Sequence, residues 1–248
     1  MAHRFHTEVP LAPGLVSLGK EETQHIVVSR VKPGEQVVIF AGDGIDYPAT
    51  ILDISRHGCT LHVGKGIPSQ LELKTKLVIC APLPKGDREQ FLLEKLTEIG
   101  ATRFVPLKTA RSVIHPEPKR LDRLRRHVVE ASKQCERSQL MEIANLQTLD
   151  ELVAGYRSEA NTLWFGHVPE VADSGWSLPG SIGLNRALVI VVGPEGGLDL
   201  SEIHSLQGAG WHPCALGRRK LRIETAAILL AANAVRLLEN TTKHLLNA

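Results

Sequence analysis

The stretch from Ala187 to Ala234 restricts the fold more than any other part of the chain. It opens with an unbroken apolar run, Ala187-Leu-Val-Ile-Val-Val192, that stops at Gly193-Pro-Glu-Gly-Gly197. It resumes with Ala215-Leu-Gly-Arg-Arg-Lys-Leu-Arg-Ile-Glu-Thr225 and passes into an alanine-rich run from Ala226 to Val235. A short continuous apolar run fits a strand covered on both faces, which calls for a parallel sheet with helices on either side. The second run is apolar nearly all round, so a helix there must be buried on several sides, within its domain or against a second subunit. Asn233 is its one polar residue and needs a hydrogen-bond partner.

The rest of the chain reads as two blocks. From about residue 4 to 66 the pattern is of short strands: Gln36–Phe40, Tyr47–Leu52 and Cys59–Val63, separated by Lys32-Pro-Gly34, Gly42-Asp-Gly44 and His57-Gly58. Closely spaced short strands predict a small β-barrel. Residues 64–70 read as a linker. Beyond it, strands expected at 76–81, 103–107, 161–166, 188–192 and 213–216 alternate with helical spacing. Helices are predicted from Asp87 to Gly100, Pro118 to about Arg137, Leu146 to Tyr156, Asp199 to near Gly208 and Glu224 to Asn240. Pro169 to Arg186 reads as a loop with little regular structure. Strands alternating with helices predict an α/β domain with a mainly parallel sheet. The expected domains are therefore 1–68 and 74–248, in keeping with a length of 248 residues.

Composition excludes several classes. At 43% hydrophobic and 23% charged the chain is typical of globular proteins, and with 4% aromatics its core must be mostly Leu, Val, Ile and Ala. Cys59, Cys80, Cys135 and Cys214 are too far apart for a zinc site and too few for a disulfide framework, so free thiols are expected. The eleven histidines are scattered, and only His3 and His6 are close; no metal is expected. No apolar run is long enough to span a bilayer, and the polar N-terminus lacks the apolar core of a signal peptide. A cytoplasmic protein without a membrane partner is the expectation.

Three signals carry chemistry. Gly193–Gly197 lies between a buried strand and a capped helix, the place where open α/β sheets bind ligands. It matches neither a Gly-x-Gly-x-x-Gly fingerprint nor a phosphate-binding P-loop. It is a structural turn or a ligand turn, and Glu195, which a turn does not need, favours the second. Gly217 to Thr225 concentrates Arg218, Arg219, Lys220 and Arg222 at the mouth of a helix, as a solvated loop or as a site for an anion. Between Arg103 and Arg137, ten Lys and Arg stand against four Asp and Glu. That is either a solvated helix face or a surface for nucleic acid.

Several segments together resemble a known family. They are His3-Arg-Phe5, Lys85-Gly-Asp-Arg88, Glu98-Ile-Gly100, Pro106-Leu-Lys-Thr-Ala-Arg-Ser112, Gly193-Pro-Glu-Gly-Gly197 and Leu216-Gly-Arg-Arg-Lys-Leu-Arg-Ile-Glu-Thr-Ala226. In this order they resemble the bacterial small-subunit ribosomal RNA uridine-N3 methyltransferases, the RsmE family of the SPOUT superfamily. The resemblance covers nearly the whole chain. It implies a PUA-like RNA-binding β-barrel followed by a SPOUT domain whose C-terminal segment threads a trefoil knot. It also implies S-adenosyl-L-methionine as cofactor, 16S rRNA or the small ribosomal subunit as partner, and a homodimer built on the C-terminal helix. Arg218 stands where the family usually has Pro, Ile223 where it has Thr, and Glu136 where Gly is common.

The resemblance further implies roles. Arg222 and Glu224 would be catalytic. Leu163, Phe165, Gly166, Gly193, Glu195, Gly196, Gly197, Leu216, Gly217 and Leu221 would hold the cofactor. Arg4, Arg30, Arg88, Arg111, Arg123, Arg126 and Arg219 would meet RNA. Two alternatives remain open at this point: another SPOUT enzyme acting on a ribose 2′-hydroxyl or a tRNA base, and a non-catalytic RNA-binding module.

Overall fold

The structure, a computed structural model, describes residues 3–55, 58–156, 160–168, 176–179, 182 and 187–246. It divides into two compact units. The first comprises residues up to Glu72 together with Val129–Leu140; the second comprises Leu73–Val128 and the rest from Met141.

In the first unit the elements are β1 (His3–His6), β2 (Gly14–Leu18), α1 (Lys20–Val28), β3 (Gln36–Phe40), β4 (Ile45–Ile54), β5 (Cys59–Val63) and β6 (Ile67–Pro68). Among the described residues they form a sheet in the order β1-β3-β4-β5-β2, with β6 added to β4. The β1–β3 pair is parallel and the others are antiparallel. Alternation along β4 and β5 puts Ile51, Leu61 and Val63 inside, where they join Phe5, Ile26 and Ile39. Two expectations are corrected here. The stretch expected to hold only strands contains α1, whose polar sequence turns Thr23 and Ile26 fully inward. It has no side-chain cap at Gly19; instead the Thr23 hydroxyl donates to the Gly19 carbonyl at 2.6 Å. The expected linker also carries β6, which pairs with Ile45 and Asp46.

The second unit holds β7 (Lys76–Ala81), α2 (Arg88–Ile99), β8 (Arg103–Lys108), α3 (Pro118–Gln134, whose last turns belong to the first unit), β9 (Glu142–Ile143), β10 (Gln147–Thr148) and α4 (Leu149–Gly155). It continues with β11 (Asn161–Gly166), β12 (Trp176–Ser177), β13 (Ala187–Val191), α5 (Leu200–Gly208), β14 (His212–Leu216) and α6 (Ile223–Leu246). Its sheet runs β10-β8-β7-β13-β11-β14-β12, with β9 on β8, and is parallel except for β12. The segment expected to be an irregular loop lies mostly outside the described residues, but Trp176 and Ser177 pair with Leu216 and Ala215.

The order of the central strands positions the site. β13 inserts between β7 and β11, and the chain then returns to lay β14 on the far side of β11. The carboxyl ends of β11, β13 and β14 thus lie side by side. One face of the sheet buries Leu163, Phe165, Val189, Val191, Leu206 and Trp211. On the other, α6 runs over β7, β13 and β14. It buries Ala227, Leu230, Ala231, Ala234, Leu237 and Leu238, the three-to-four spacing of a helix face. Asn233 finds its partner within the helix: its Nδ2 donates to the Leu229 carbonyl at 2.9 Å.

Helix α3 stops three residues short of the expected Arg137. Glu136 adopts φ 64°, and the Arg137 amide reaches back to the Ser132 carbonyl at 3.0 Å, the wide turn that ends many helices. Arg137 is thereby turned inward and is 3% exposed. Its guanidinium meets Glu72 at 2.8 Å.

Candidate active site

The turn after β13 forms one wall. Gly197 donates its amide to the Pro194 carbonyl at 2.8 Å, closing the turn. A Cβ at Gly193 would lie 3.0 Å from Leu198 Cγ and 3.1 Å from Leu198 N, so the backbone folds on itself too closely for a larger residue. The turn leads into α5 through a capping box: Asp199 accepts from the Glu202 amide at 2.8 Å, and Glu202 accepts from the Asp199 amide at 2.8 Å. The other Glu202 oxygen accepts from the Ala110 amide at 2.8 Å, and Arg111 Nη1 donates to the Gly196 carbonyl at 2.7 Å. The segment after β8 therefore braces the turn.

The end of β11 forms a second wall, and the loop from β14 to α6 a third. Gly217 opens that loop at φ 100°, a left-handed conformation that an L side chain resists. The cleft between them encloses about 230 Å³. Of the expected cofactor residues, Gly166, Gly193, Glu195, Gly196, Gly197, Leu216, Gly217 and Leu221 line it. Leu163 and Phe165 do not: they are 1% and 0% exposed, core residues beneath the cleft, because the pleat of β11 points them into the packed layer. Arg219, expected to meet RNA, lines the cleft with Lys220. The apolar walls come from residues that sequence reasoning missed, among them Val168, Leu198, Ile203 and Leu230. Val168 and Leu198 had nearness to a glycine as their signal, whereas Ile203 and Leu230 lie within helices. Burial pushes the thiol of Cys214, also in the lining, up to about 12, so it carries no thiolate at neutral pH.

The charged groups are arranged differently from expectation. Glu224 is buried, with its side chain 7% exposed, and its neighbour is Arg88: Nη1 lies 3.6 Å from Oε1. The same Nη1 lies 3.8 Å from Glu195 Oε1. Arg222 is exposed and makes no side-chain ion pair among the described residues. Arg88 thus stands beside Glu224, and its only signal in the sequence was the Lys85-Gly-Asp-Arg88 motif.

The basic surface is smaller than its count of arginines. Arg120 bonds the buried Glu89 at 2.9 Å, and Arg123 bonds the same carboxylate. Arg125 donates to Asp122 at 2.6 Å and Lys133 to Glu130 at 2.8 Å. Arg126 stays exposed, as does Arg30, which sits at φ 57° after α1. Arg4 is committed within the first unit. It meets Asp46 at 2.7 Å and Ser138 at 2.6 Å, packs 5.4 Å from the centre of the Phe40 ring, and its side chain is 10% exposed. Among the described residues no group of His, Cys, Asp and Glu is placed to hold a metal ion, and no helix is long and apolar enough to cross a membrane.

A cleft beyond the carboxyl ends of parallel strands, walled by glycine turns and apolar side chains, defines an α/β domain that binds a small organic ligand. Comparison with known proteins narrows this. A family model described as RNA methyltransferase domain matches residues 71–235, and one described as RNA methyltransferase PUA domain matches residues 18–64. Ribosomal RNA small subunit methyltransferase E of Bacillus subtilis is 31% identical over 227 residues, covering 86% of each chain. The protein of that name from Synechocystis is 32% identical over 223 residues, covering 86% of this chain and 70% of its own. The crystal structure of the Neisseria gonorrhoeae protein of that name, bound to S-adenosyl methionine, superposes with a TM-score of 0.86 at 27% identity. It covers 96% of this chain and 98% of its own. The chain belongs to the RNA methyltransferase family.

Proposed function

We propose that this protein transfers a methyl group from S-adenosylmethionine to N3 of a uridine in the 16S RNA of the small ribosomal subunit. The observation that carries the reading is the cleft itself: three glycine-bearing chain segments at adjacent strand ends, with a buried carboxylate beside them. The relative that is similar over 96% of the chain is bound to S-adenosyl methionine.

The cleft suits that cofactor. Leu198, Ile203, Leu216 and Leu221 offer apolar contact for a nucleoside and a thioether chain, and backbone groups of the turns offer polar contact at close range. Arg219 and Lys220 supply cations for a carboxylate, and Glu195 an anion for an ammonium. When bound, the cofactor supplies an electrophilic methyl group. The protein's own work is alignment and handling of a proton. Neutral uridine carries a proton on N3. Glu224 accepts it. Arg222 steadies the charge that develops on the base carbonyl oxygens. Arg30 and Arg126 meet RNA phosphates, and residues 1–68 form a PUA-like RNA-binding barrel. The second domain is a SPOUT domain whose C-terminal segment threads a trefoil knot, one of the few folds that thread a loop, and the return of β14 past β11 supports that reading. Leu229 and Ala232, exposed on α6, lie on the face that a second subunit would cover in a homodimer. The cytoplasm, where ribosomes are assembled, is the place of action.

The test is calorimetry with S-adenosylmethionine, followed by transfer of a labelled methyl group to small subunits lacking the modification. Cofactor binding with label in N3-methyluridine supports the reading. Label in a ribose or in tRNA indicates a different SPOUT activity, and no binding heat indicates an RNA-binding module.

A further inference from the structure

Arg88 joins two carboxylates that come from distant parts of the chain. Glu195 belongs to the turn after β13 and lines the cleft; Glu224 belongs to the first turn of α6. At 3.8 and 3.6 Å, neither contact with Arg88 is a hydrogen bond, so the guanidinium is shared between the two by charge. The second oxygen of Glu224, Oε2, is buried and has no hydrogen-bond partner among the described residues. A buried carboxylate oxygen without a hydrogen bond is costly, and a catalytic role is one of the reasons such a group is retained. The root of Arg88 is fixed as well. The next residue, Glu89, is buried and bonded by Arg120, which fastens the first turn of α2 to α3.

Resting on the methyltransferase reading, we propose that Arg88 is a positioning residue for the reaction and not a phosphate contact. It fixes the place of Glu224, whose buried Oε2 has no hydrogen-bond partner among the described residues, as the acceptor for the imide proton of the target base. Through Glu195 the same guanidinium ties that acceptor to the turn that lines the cofactor cleft.

The experiment is a double-mutant cycle with Arg88→Met and Glu224→Gln, together with Arg88→Lys. The intact protein is assayed on small ribosomal subunits lacking the modification. The readouts are kcat, KM, RNA affinity as a function of salt, and calorimetric affinity for S-adenosylmethionine. Arg88→Met is expected to lower kcat at least about tenfold while RNA affinity changes less than about threefold and its salt dependence is unchanged. Arg88→Lys, which keeps charge but not the planar fork, recovers part of the loss. In the Glu224→Gln background, Arg88→Met costs less than about threefold more, because the two residues act as one unit. The proposal is overturned if Arg88→Met leaves kcat intact, weakens RNA binding and lowers the slope of log affinity against log salt by about one, the signature of a phosphate contact. Independent, multiplicative effects of the two substitutions also overturn it. Should Arg88→Met not fold, Arg88→Lys decides alone: wild-type kcat contradicts the proposal and a reduced kcat at unchanged RNA affinity supports it. Wild-type protein that transfers no methyl group would instead count against the methyltransferase reading.

Discussion

The Arg111 side chain donates from Nη1 to the Gly196 carbonyl at 2.7 Å, so the glycine turn after β13 is held in shape by a residue 85 positions earlier. The bond is exposed to solvent and its energy is correspondingly modest, roughly 0.5–1.5 kcal/mol. Arg111→Ala is predicted to weaken S-adenosylmethionine binding about three- to tenfold by calorimetry, through that same energy range. The melting temperature should change little. An unchanged affinity would show that the turn keeps its shape without the brace.

Gly217 sets the direction of the loop from β14 to α6. Its φ of 100° disfavours any Cβ. Gly217→Ala is predicted to destabilise the protein by about 1–2 kcal/mol and to weaken cofactor binding at least about tenfold, as expected for strain at a site-forming turn. Denaturant melts and calorimetry measure the two effects separately.

Glu136 presents the opposite case, a side chain where glycine fits better. It ends α3 at φ 64°. Glu136→Gly is predicted to stabilise the protein by about 1 kcal/mol, since the relief of left-handed strain exceeds the added freedom of the unfolded chain. A lower melting temperature would contradict this.

The cap of α5 gives a pH dependence. Hydrogen bonds from the Glu202 amide and the Ser201 hydroxyl hold the Asp199 carboxyl below its usual range. Its folded value lies below its unfolded value, so the stabilisation is fully present above the unfolded value, about 4. It is lost as pH falls through the folded value. Thermal melts between pH 6 and pH 2.5 should therefore fall less steeply for Asp199→Asn than for the wild type. Equal slopes would show that the cap contributes nothing to acid sensitivity.

The α/β unit was legible in the sequence because its central strands are buried on both faces and so read as unbroken apolar runs, as at 77–81 and 187–192. The helix at 20–28 was not, because Lys20-Glu-Glu-Thr-Gln-His25 shows neither an apolar stripe nor a capping side chain. At the site, backbone was easier to read than charge. The glycine turns announce where the chain approaches a ligand, and they line the cleft. Which arginine meets which carboxylate depends on strand order: β13 enters between β7 and β11, and that order puts Arg88, on the helix after β7, beside Glu195 and Glu224. No local pattern encodes such a meeting. The same holds for Arg4 and Arg137, which look like surface cations in sequence and are instead spent on Asp46 and Glu72.

The most direct test of the account is nucleoside mass spectrometry of 16S ribosomal RNA from cells with and without this protein. The account predicts that one N3-methyluridine disappears in its absence and returns with the wild-type chain but not with Glu224→Gln. An unchanged N3-methyluridine content, or loss of a different modification, would contradict it.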